Sequence, residues 1–213
     1  MILCSLVPEL PLAALVLRES DAPLARRAVV VEGLPAERKP VRAATAEARS
    51  YGICVGMPLR QAEQLCPQAL FLAADPGAEA ALSRHLLAGL YALAPRVELA
   101  AGGEAYLEVA GLGEPMAFAA RVAAYLERRL LSRPALGIAA VKSVARIAAG
   151  LAATAATAST GDIPVRAVPR GSERSFLAPL SVAEHLAADP ALIERLKLFG
   201  LRTMGDLARL PLG

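Results

Sequence analysis

Short apolar runs and helical patterns alternate along the first part of the chain. Ile2–Val7 predicts a buried strand, because this mostly apolar stretch ends at a proline-containing turn. A short helix is expected near Leu12–Arg18, and Ala28–Val31 predicts a second strand. This succession of strand, helix and strand predicts an α/β fold.

Helical periodicity dominates most of the remaining sequence. An extended linker with two prolines, Ile163–Ser172, predicts a domain boundary, and Leu180–Leu212 predicts short helices separated by proline and glycine. The other predicted helices are Ala44–Tyr51, Leu59–Cys66, Ala78–Leu93, Ala117–Leu131 and Val141–Ala156, and Leu136–Ala140 is expected to be a strand.

Two strand-like runs, Val97–Ala101 and Glu104–Val109, flank a Gly-Gly pair and predict a tight β-hairpin. Because side chains alternate along a strand, Glu104, Tyr106 and Glu108 are expected on one polar face. The two carboxylates lie about 13 Å apart along a strand, whereas two catalytic metals lie about 3.5–4 Å apart. The pair alone therefore cannot form a two-metal centre, and two solvated glutamates on an exposed sheet face explain the same pattern.

Composition excludes several classes of protein. The chain has 213 residues, of which 55% are hydrophobic, but it has no uninterrupted apolar run of membrane-spanning length and no recognisable secretion signal. Its three cysteines are scattered, which argues against a disulfide framework or a structural zinc site and favours a cytoplasmic location. The formal charge of +3 is compatible with nucleic-acid binding without demonstrating it.

Several motifs together resemble the Y-family translesion DNA polymerases. The resemblance implies an α+β palm at 1–17 and 74–162, small helical fingers at 18–73, and a linker with a partial, helix-hairpin-helix-like thumb at 163–213. It also implies that a little finger and a C-terminal tail lie beyond this sequence. The motifs are Glu47-Ala48-Arg49, Gly52-Ile53, Gly56-Met57-Pro58, Ala62, Cys66-Pro67, Glu104-Ala105-Tyr106-Leu107 and Leu136-Gly137-Ile138-Ala139 with Lys142.

The metal-binding positions depart from the family pattern. Family members hold two magnesium ions with an aspartate on the first strand and an Asp-Glu pair on the palm hairpin. Pro8 and Gly103 replace these aspartates, so that Glu104 is the lone surviving acid and Glu9 is the nearest substitute on the first strand. The resemblance therefore leads us to expect no catalytic residues, no bound metal and no cofactor.

The nucleotide pocket departs in the same direction. The family tyrosine that contacts the triphosphate is replaced by Ala46, and the aromatic steric gate falls on Leu12 or Ala13. Basic remnants of phosphate or DNA binding are expected at Arg49, Lys142, Arg146, Arg195, Lys197 and Arg202.

The thumb is expected to bind DNA weakly. The Gly-x-Gly of its DNA-binding hairpin falls on Ala187-Ala188-Asp189. Leu196-Lys197-Leu198-Phe199 resembles a clamp-binding peptide, but its spacing favours the buried side of a helix.

These departures favour an ImuB-like, non-catalytic accessory protein of DNA damage-induced mutagenesis. The resemblance implies three protein partners: an error-prone replicative-type DNA polymerase, an ImuA-type RecA-like protein and the sliding clamp. Two alternatives remain open at this point. One is an active Y-family DNA polymerase with a rearranged magnesium site, and the other is a protein-docking module that does not bind DNA.

Overall fold

The structure is a computed structural model. It describes residues 1–7, 9–19, 24, 26–100, 103–130, 134–156, 164–186 and 188–211. The strands in these ranges are β1 Ile2–Leu6, β2 Val29–Val31, β3 Ala43–Ala44, β4 Leu70–Leu72, β5 Val97–Ala100, β6 Glu104–Glu108, β7 Ala135–Ala139 and β8 Val165–Ala167. The helices are α1 Leu10–Glu19, α2 Ala46–Ser50, α3 Leu59–Leu65, α4 Pro76–Tyr91, α5 Pro115–Glu127, α6 Lys142–Ala156, α7 Glu173–Leu177, α8 Val182–His185, α9 Pro190–Leu198 and α10 Met204–Leu207.

The larger sheet has the strand order β5-β6-β1-β7-β8. Its central strand, β1, runs antiparallel to both β6 and β7, and Leu6 lies opposite Glu104. β8 joins the far edge parallel to β7, and α6 forms the crossover between these two strands. The larger sheet therefore holds the predicted hairpin of β5 and β6 at one edge. Glu104, the first residue of β6, lies beside the end of β1.

The two faces of this sheet bury different helices. On one face, alternate residues such as Leu3, Leu107 and Ile138 pack with α4 and α5 in the largest apolar cluster. On the other face, Cys4 and the alanine-rich side of α6 form a smaller cluster. The iBiBi burial pattern of β6 shows that its apolar residues face the larger core and its polar residues face the other side, as predicted.

Gly137 allows α6 to lie directly on β7. A Cβ atom built at this position would lie 2.0 Å from the carbonyl oxygen of Ala145 and 2.4 Å from the amide nitrogen of Ala149. These distances are far below van der Waals contact, so only glycine permits this approach of helix and strand.

The smaller sheet has the order β3-β2-β4, with β2 antiparallel to β3 and parallel to β4. One face packs against α2 and α3, with Val30 and Ile53 in the cluster, and the other packs against α1. Since α1 also contributes Leu10 and Ala13 to the core of the larger sheet, this helix joins the two sheets.

Four short helices follow the larger sheet. The isolated bridge between Ser181 and Thr203 brings the start of α8 beside the start of α10. Thr203 and Asp206 form a capping box at α10, because the side chain of each accepts a hydrogen bond from the backbone of the other. The predicted turn around Gly200 between two helices is confirmed, and Gly200 has a φ of +76°.

The α/β fold class is confirmed, but several local predictions are wrong. Ala44 is the end of β3 and not a helical residue. The predicted linker Ile163–Ser172 contains β8, whose pairing with β7 depends on a distant partner that local pattern does not show. β4 was not predicted, since its three residues give too short a pattern.

Side-chain exposure corrects one further prediction. Leu198 and Phe199, expected on a buried helix side, are 85% and 76% exposed. Cys4 and Cys66 are buried, whereas Cys54 is exposed.

The boundaries assigned to palm, fingers and thumb stay predictions. Among the described residues, no helix combines the length and the apolar character needed to span a bilayer.

We expect Gly137→Ala to lower the free energy of unfolding by about 3 kcal/mol, because the new methyl group collides with the backbone of α6. Chemical denaturation measures the change. Gly150→Ala is the matched control: it lies on the same helix with no atom within 4 Å of its added Cβ. It should raise stability by about 0.5–1 kcal/mol, since glycine is unfavourable inside helices. Equal stability of Gly137→Ala and the wild type would show that helix and strand do not approach this closely.

Candidate functional site

The site lies at the end of the larger sheet where Leu6 of β1 is opposite Glu104 of β6. Glu104, the first residue of β6, points to the polar face and holds two partners. Its Oε1 accepts a hydrogen bond from Nε of Arg146 at 2.7 Å, and its Oε2 accepts one from the hydroxyl of Tyr106 at 2.9 Å. The Glu104 side chain is only 16% exposed. Two residues that the sequence suggested separately, Glu104 and Arg146, thus form one charged pair.

The surroundings of this pair shift three ionisation equilibria. Burial, followed by the negative charge of Glu104, raises the pKa of the Cys4 thiol to about 12. Burial and the hydrogen bond to Glu104 raise the pKa of Tyr106. The hydrogen bond to Glu104 raises the pKa of Arg146, which stays charged. The thiol and the phenol are therefore neutral, and the only charges in this network belong to Glu104 and Arg146.

Lys142, one helical turn before Arg146, forms the second ion pair of the site. Its Nζ contacts the Glu98 carboxylate on β5 and lies 5.6 Å from the centre of the Tyr106 ring. Both residues line an open cavity of about 610 Å³ over the hairpin. The Glu98 partner was missed by sequence reasoning, although the alternation that places Tyr106 on the polar face also places Glu98 opposite it.

Arg49 forms a third ion pair, with Glu9 in the turn before α1. Its Nη1 also donates to the carbonyl oxygen of Ala44 at 2.8 Å. The helix that carries Arg49 is fixed at its start, because the hydroxyl of Thr45 accepts a hydrogen bond from the amide of Ala48 at 3.3 Å. Glu9, considered above only as a substitute metal ligand, is instead the partner of Arg49.

Gly103, predicted from the family resemblance to replace the hairpin aspartate, has no room for a side chain. Its φ is +82°, and a Cβ atom there would lie 2.6 Å from the carbonyl oxygen of Val7. The amide of Val7 donates to the carbonyl oxygen of Gly103 at 3.1 Å, which closes the hairpin against the end of β1. Pro8, the other replaced position, lies outside the described residues.

The side chains of the site do not fit a pair of magnesium ions as they stand. Within the described ranges, no three or more His, Cys, Asp or Glu residues come together in a group that could hold a metal. Both oxygens of Glu104 already accept hydrogen bonds, and Glu9 is bound to Arg49. Magnesium requires several carboxylate or water oxygens in octahedral geometry.

The remaining predicted residues lie away from this site or lack a suitable group. Leu12 and Ala13 are buried in the cores around α1, and Ala46 is exposed at the start of α2. In the thumb-like helices, Lys197 pairs with Glu194, and the backbone amide of Arg202 donates to Asp206. Arg195, predicted to be a remnant of DNA binding, lies in the last turn of α9 with Lys197. Ala187, in the expected DNA-binding hairpin, is outside the described residues.

Comparison with known proteins shows which protein family this chain resembles. The impB/mucB/samB family profile matches residues 13–150. A DNA polymerase IV of Dehalococcoides mccartyi (strain BAV1) is 37% identical over 183 residues, which cover 86% of this chain and 46% of that protein. A DNA polymerase IV 2 of Mycobacterium tuberculosis (strain H37Rv) is 36% identical over 188 residues, which cover 85% of this chain and 51% of that protein.

Solved structures agree with the fold. An insertion ternary complex of Dbh DNA polymerase superposes with a TM-score of 0.78 at 23% identity, covering 99% of this chain and 61% of that one. DinB from Sulfolobus solfataricus gives a TM-score of 0.74 at 23% identity, covering 99% of this chain and 61% of that one. The chain spans about half the length of the curated relatives.

The relatives correct the expectation that the chain is not an enzyme. Proteins that share more than a third of its residues over most of its length are named as DNA polymerases, which contradicts that prediction. They show the family without distinguishing an ImuB-like subgroup. The replaced aspartates led to the prediction of lost activity, and Glu98 was not considered because its charge reaches Lys142 only through the fold.

Thiol labelling tests the environment of the site. At pH 8 we expect Cys54 to react with a thiol reagent within minutes, because it is exposed. Cys4 should stay unreacted, since a pKa of about 12 keeps the thiolate population negligible and burial excludes the reagent. Mass spectrometry of the labelled peptides measures both. Cys66, which is also buried, is the internal control, and labelling of Cys4 at the rate of Cys54 would contradict the packing of β1 under α6.

Proposed function

Because the chain belongs to the impB/mucB/samB family, which has the Y-family DNA polymerase fold, we propose that it is the palm and fingers part of a DNA polymerase that copies damaged templates. The names of its relatives support polymerase activity. The observation that carries the proposal is the charge arrangement of the site. Three basic side chains each face a carboxylate: Arg49 and Arg146 at the end of the larger sheet marked by Glu104, and Lys142 over the middle of the same sheet.

Two of these ion pairs are suited to exchange partners with a nucleotide. The side chains of Lys142 and Glu98 are 49% and 58% exposed, and an ion pair at such exposed positions contributes little to stability. Arg49 is 45% exposed above a Glu9 that is 13% exposed, so its guanidinium is the accessible partner of that pair. A triphosphate carries more charge and more acceptor oxygens than a carboxylate, so it competes well for the same cations. Nucleotide binding would then displace the carboxylates of Glu9 and Glu98 from their partners.

The third pair has a different character. Glu104 is mostly buried and has both a guanidinium and a phenol as partners, so it is held in place. In the proposed site Arg146 and Tyr106 hold this carboxylate in its orientation, while Glu9 leaves Arg49 only when the nucleotide occupies Arg49. A carboxylate at Glu9 without its arginine partner is thus present only in the loaded state.

For the whole protein, binding to DNA and to protein partners is also proposed. DNA binding follows from polymerase activity and is proposed for the same face of the sheet. The expected replicative-type polymerase, RecA-like protein and sliding clamp remain predictions of the family resemblance.

Primer extension tests the proposed activity. We expect the full-length protein to extend a primer on a template in magnesium or manganese buffer, and Glu104→Gln to lower the rate by 100-fold or more, because it removes the fixed carboxylate at the site. The matched control is Glu108→Gln, which removes the same charge from the same face of β6. Glu108 pairs with Arg96 at the opposite end of β6 from Glu104, beside Ile2, so its variant should retain wild-type activity.

The outcomes separate clearly. Extension that Glu104→Gln abolishes and Glu108→Gln preserves supports the proposal. Absence of extension by the wild-type protein on both undamaged and damaged templates overturns it, provided an active polymerase extends the same primer.

Nucleotide affinity tests the exchange of ion-pair partners separately from catalysis. In metal-free buffer, Glu9→Gln should bind a fluorescent deoxynucleoside triphosphate about two- to five-fold more tightly than the wild type, because the triphosphate no longer competes with Glu9 for Arg49. Arg49→Ala should bind it more weakly. Anisotropy measures both, with Glu108→Gln as the charge control. Unchanged affinity in Glu9→Gln would show that the nucleotide does not compete for Arg49.

A further inference from the structure

A polar contact joins the two sheets in addition to the apolar contacts of α1. Arg42, which directly precedes β3, has its Nη2 2.6 Å from Oε2 of Glu79 in the first turn of α4. Its Nη1 lies 3.9 Å from Oε2 of Glu32, which directly follows β2. Because α4 packs in the core of the larger sheet, the guanidinium of Arg42 ties the smaller sheet to the larger one.

The two carboxylates of this contact lie mostly inside the protein. The side chains of Glu79 and Glu32 are 12% and 23% exposed, whereas that of Arg42 is 43% exposed. One oxygen of each carboxylate is buried and makes no hydrogen bond to any residue that the structure describes. Carboxylates with so little solvent need a cationic partner, so the two acids hold the guanidinium that they share in a fixed place.

The segment that follows Arg42 depends on such outside contacts for its position. This segment, the β3–α2 unit of residues 43–50, consists of a two-residue strand and a five-residue helix, and elements this short are marginal by themselves. The amide of Thr45, between them, donates to the carbonyl oxygen of Val29 at 3.0 Å. Arg42 therefore lies at one end of the unit, and Arg49, with its partner Glu9, lies at the other.

We propose that Arg42 is a positioning residue of the nucleotide site, which fixes the β3–α2 unit to α4 and thereby holds the guanidinium of Arg49 where a triphosphate reaches it. The inference rests on the proposed function for the identity of the ligand. A nucleotide that takes Arg49 from Glu9 breaks the ion pair at one end of the unit. The ion pair of Arg42 with Glu79 is not part of that exchange, so it still holds the unit against the larger sheet.

Hydrogen exchange tests the anchor without any nucleotide. Mass spectrometry compares the peptides that cover residues 43–51 in the wild type, Arg42→Ala and Glu79→Ala. Glu79→Ala is the milder change, because it leaves Arg42 with Glu32, whereas Arg42→Ala leaves two mostly buried carboxylates without their cation. We expect exchange in this segment to become about ten-fold faster in Glu79→Ala, while peptides of β1 and β6 exchange as in the wild type.

The matched control is Lys39→Ala. Lys39 also forms an ion pair at 2.6 Å, with Glu37, but this pair lies within the segment before β3 and does not reach α4. Exchange in residues 43–51 should therefore keep the wild-type rate in this variant. Circular dichroism confirms that each variant is folded.

Nucleotide affinity tests the role of the anchor at the site. Anisotropy of a fluorescent deoxynucleoside triphosphate in metal-free buffer compares Glu79→Ala with the wild type, and Glu79→Ala/Arg49→Ala with Arg49→Ala. We expect Glu79→Ala to weaken binding about three- to ten-fold in the wild type and to have no further effect once Arg49 is replaced, because the anchor acts through that guanidinium. A merely structural loss would weaken binding by the same factor in both backgrounds.

The possible failures are distinguishable. Unchanged exchange in residues 43–51 of Glu79→Ala overturns the anchor independently of the nucleotide measurement. Wild-type affinity of Glu79→Ala, or equal weakening in both backgrounds, overturns the positioning role. Equal affinity of the wild type and Arg49→Ala overturns the proposed nucleotide site, and with it the role of Arg42 there, even where exchange confirms the anchor.

Discussion

The contact of α6 with Gly137 determines where the charged groups of the site lie. Because β7 has no side chain at that position, the helix backbone rests on the strand, with the Ala145 carbonyl only 2.0 Å from where a Cβ would be. The same contact fixes the rotation of α6. Its alanines face the sheet, and Lys142 and Arg146 project towards the hairpin, where Glu98 and Glu104 meet them. A bulkier strand residue would lift the helix and separate these pairs.

Charge compensation then distinguishes the parts of the site. Glu104 is 16% exposed and accepts hydrogen bonds from both Tyr106 and Arg146, whose own side chain is 57% exposed. The pair of Lys142 with Glu98 is solvent-exposed and weak, so it exchanges at little cost. Arg49 is 45% exposed, while its partner Glu9 is 13% exposed and makes a single ion pair. One arrangement thus combines a fixed carboxylate with cations that can release their partners to a more highly charged ligand.

Sequence patterns predicted the structural features that depend on neighbouring residues. They missed the features that depend on contacts between residues far apart in the chain. The polar face of β6 and most helices follow from periods of two and 3.6 residues. β8 was read as a linker, because its three residues are stabilised by pairing with β7 across the whole of α6. The pair of Glu9 with Arg49 joins residues 40 positions apart, and no spacing rule indicates it. Exposed Leu198 was misplaced because helical periodicity identifies an apolar side without showing whether anything covers it.

The close approach of Gly103 to β1 links the unusual acid content of the site to its backbone. An aspartate at that position would place its Cβ atom 2.6 Å from the carbonyl oxygen of Val7. It would also have to adopt a φ of +82°, which residues other than glycine adopt with strain. The hydrogen bond from Val7 to Gly103 stabilises this close geometry. Restoring the acid would therefore displace the hairpin from β1, and with it Glu104. Negative charge at this end of the sheet has to come from flanking positions, which is where the fold places Glu104 on one side and Glu9 on the other.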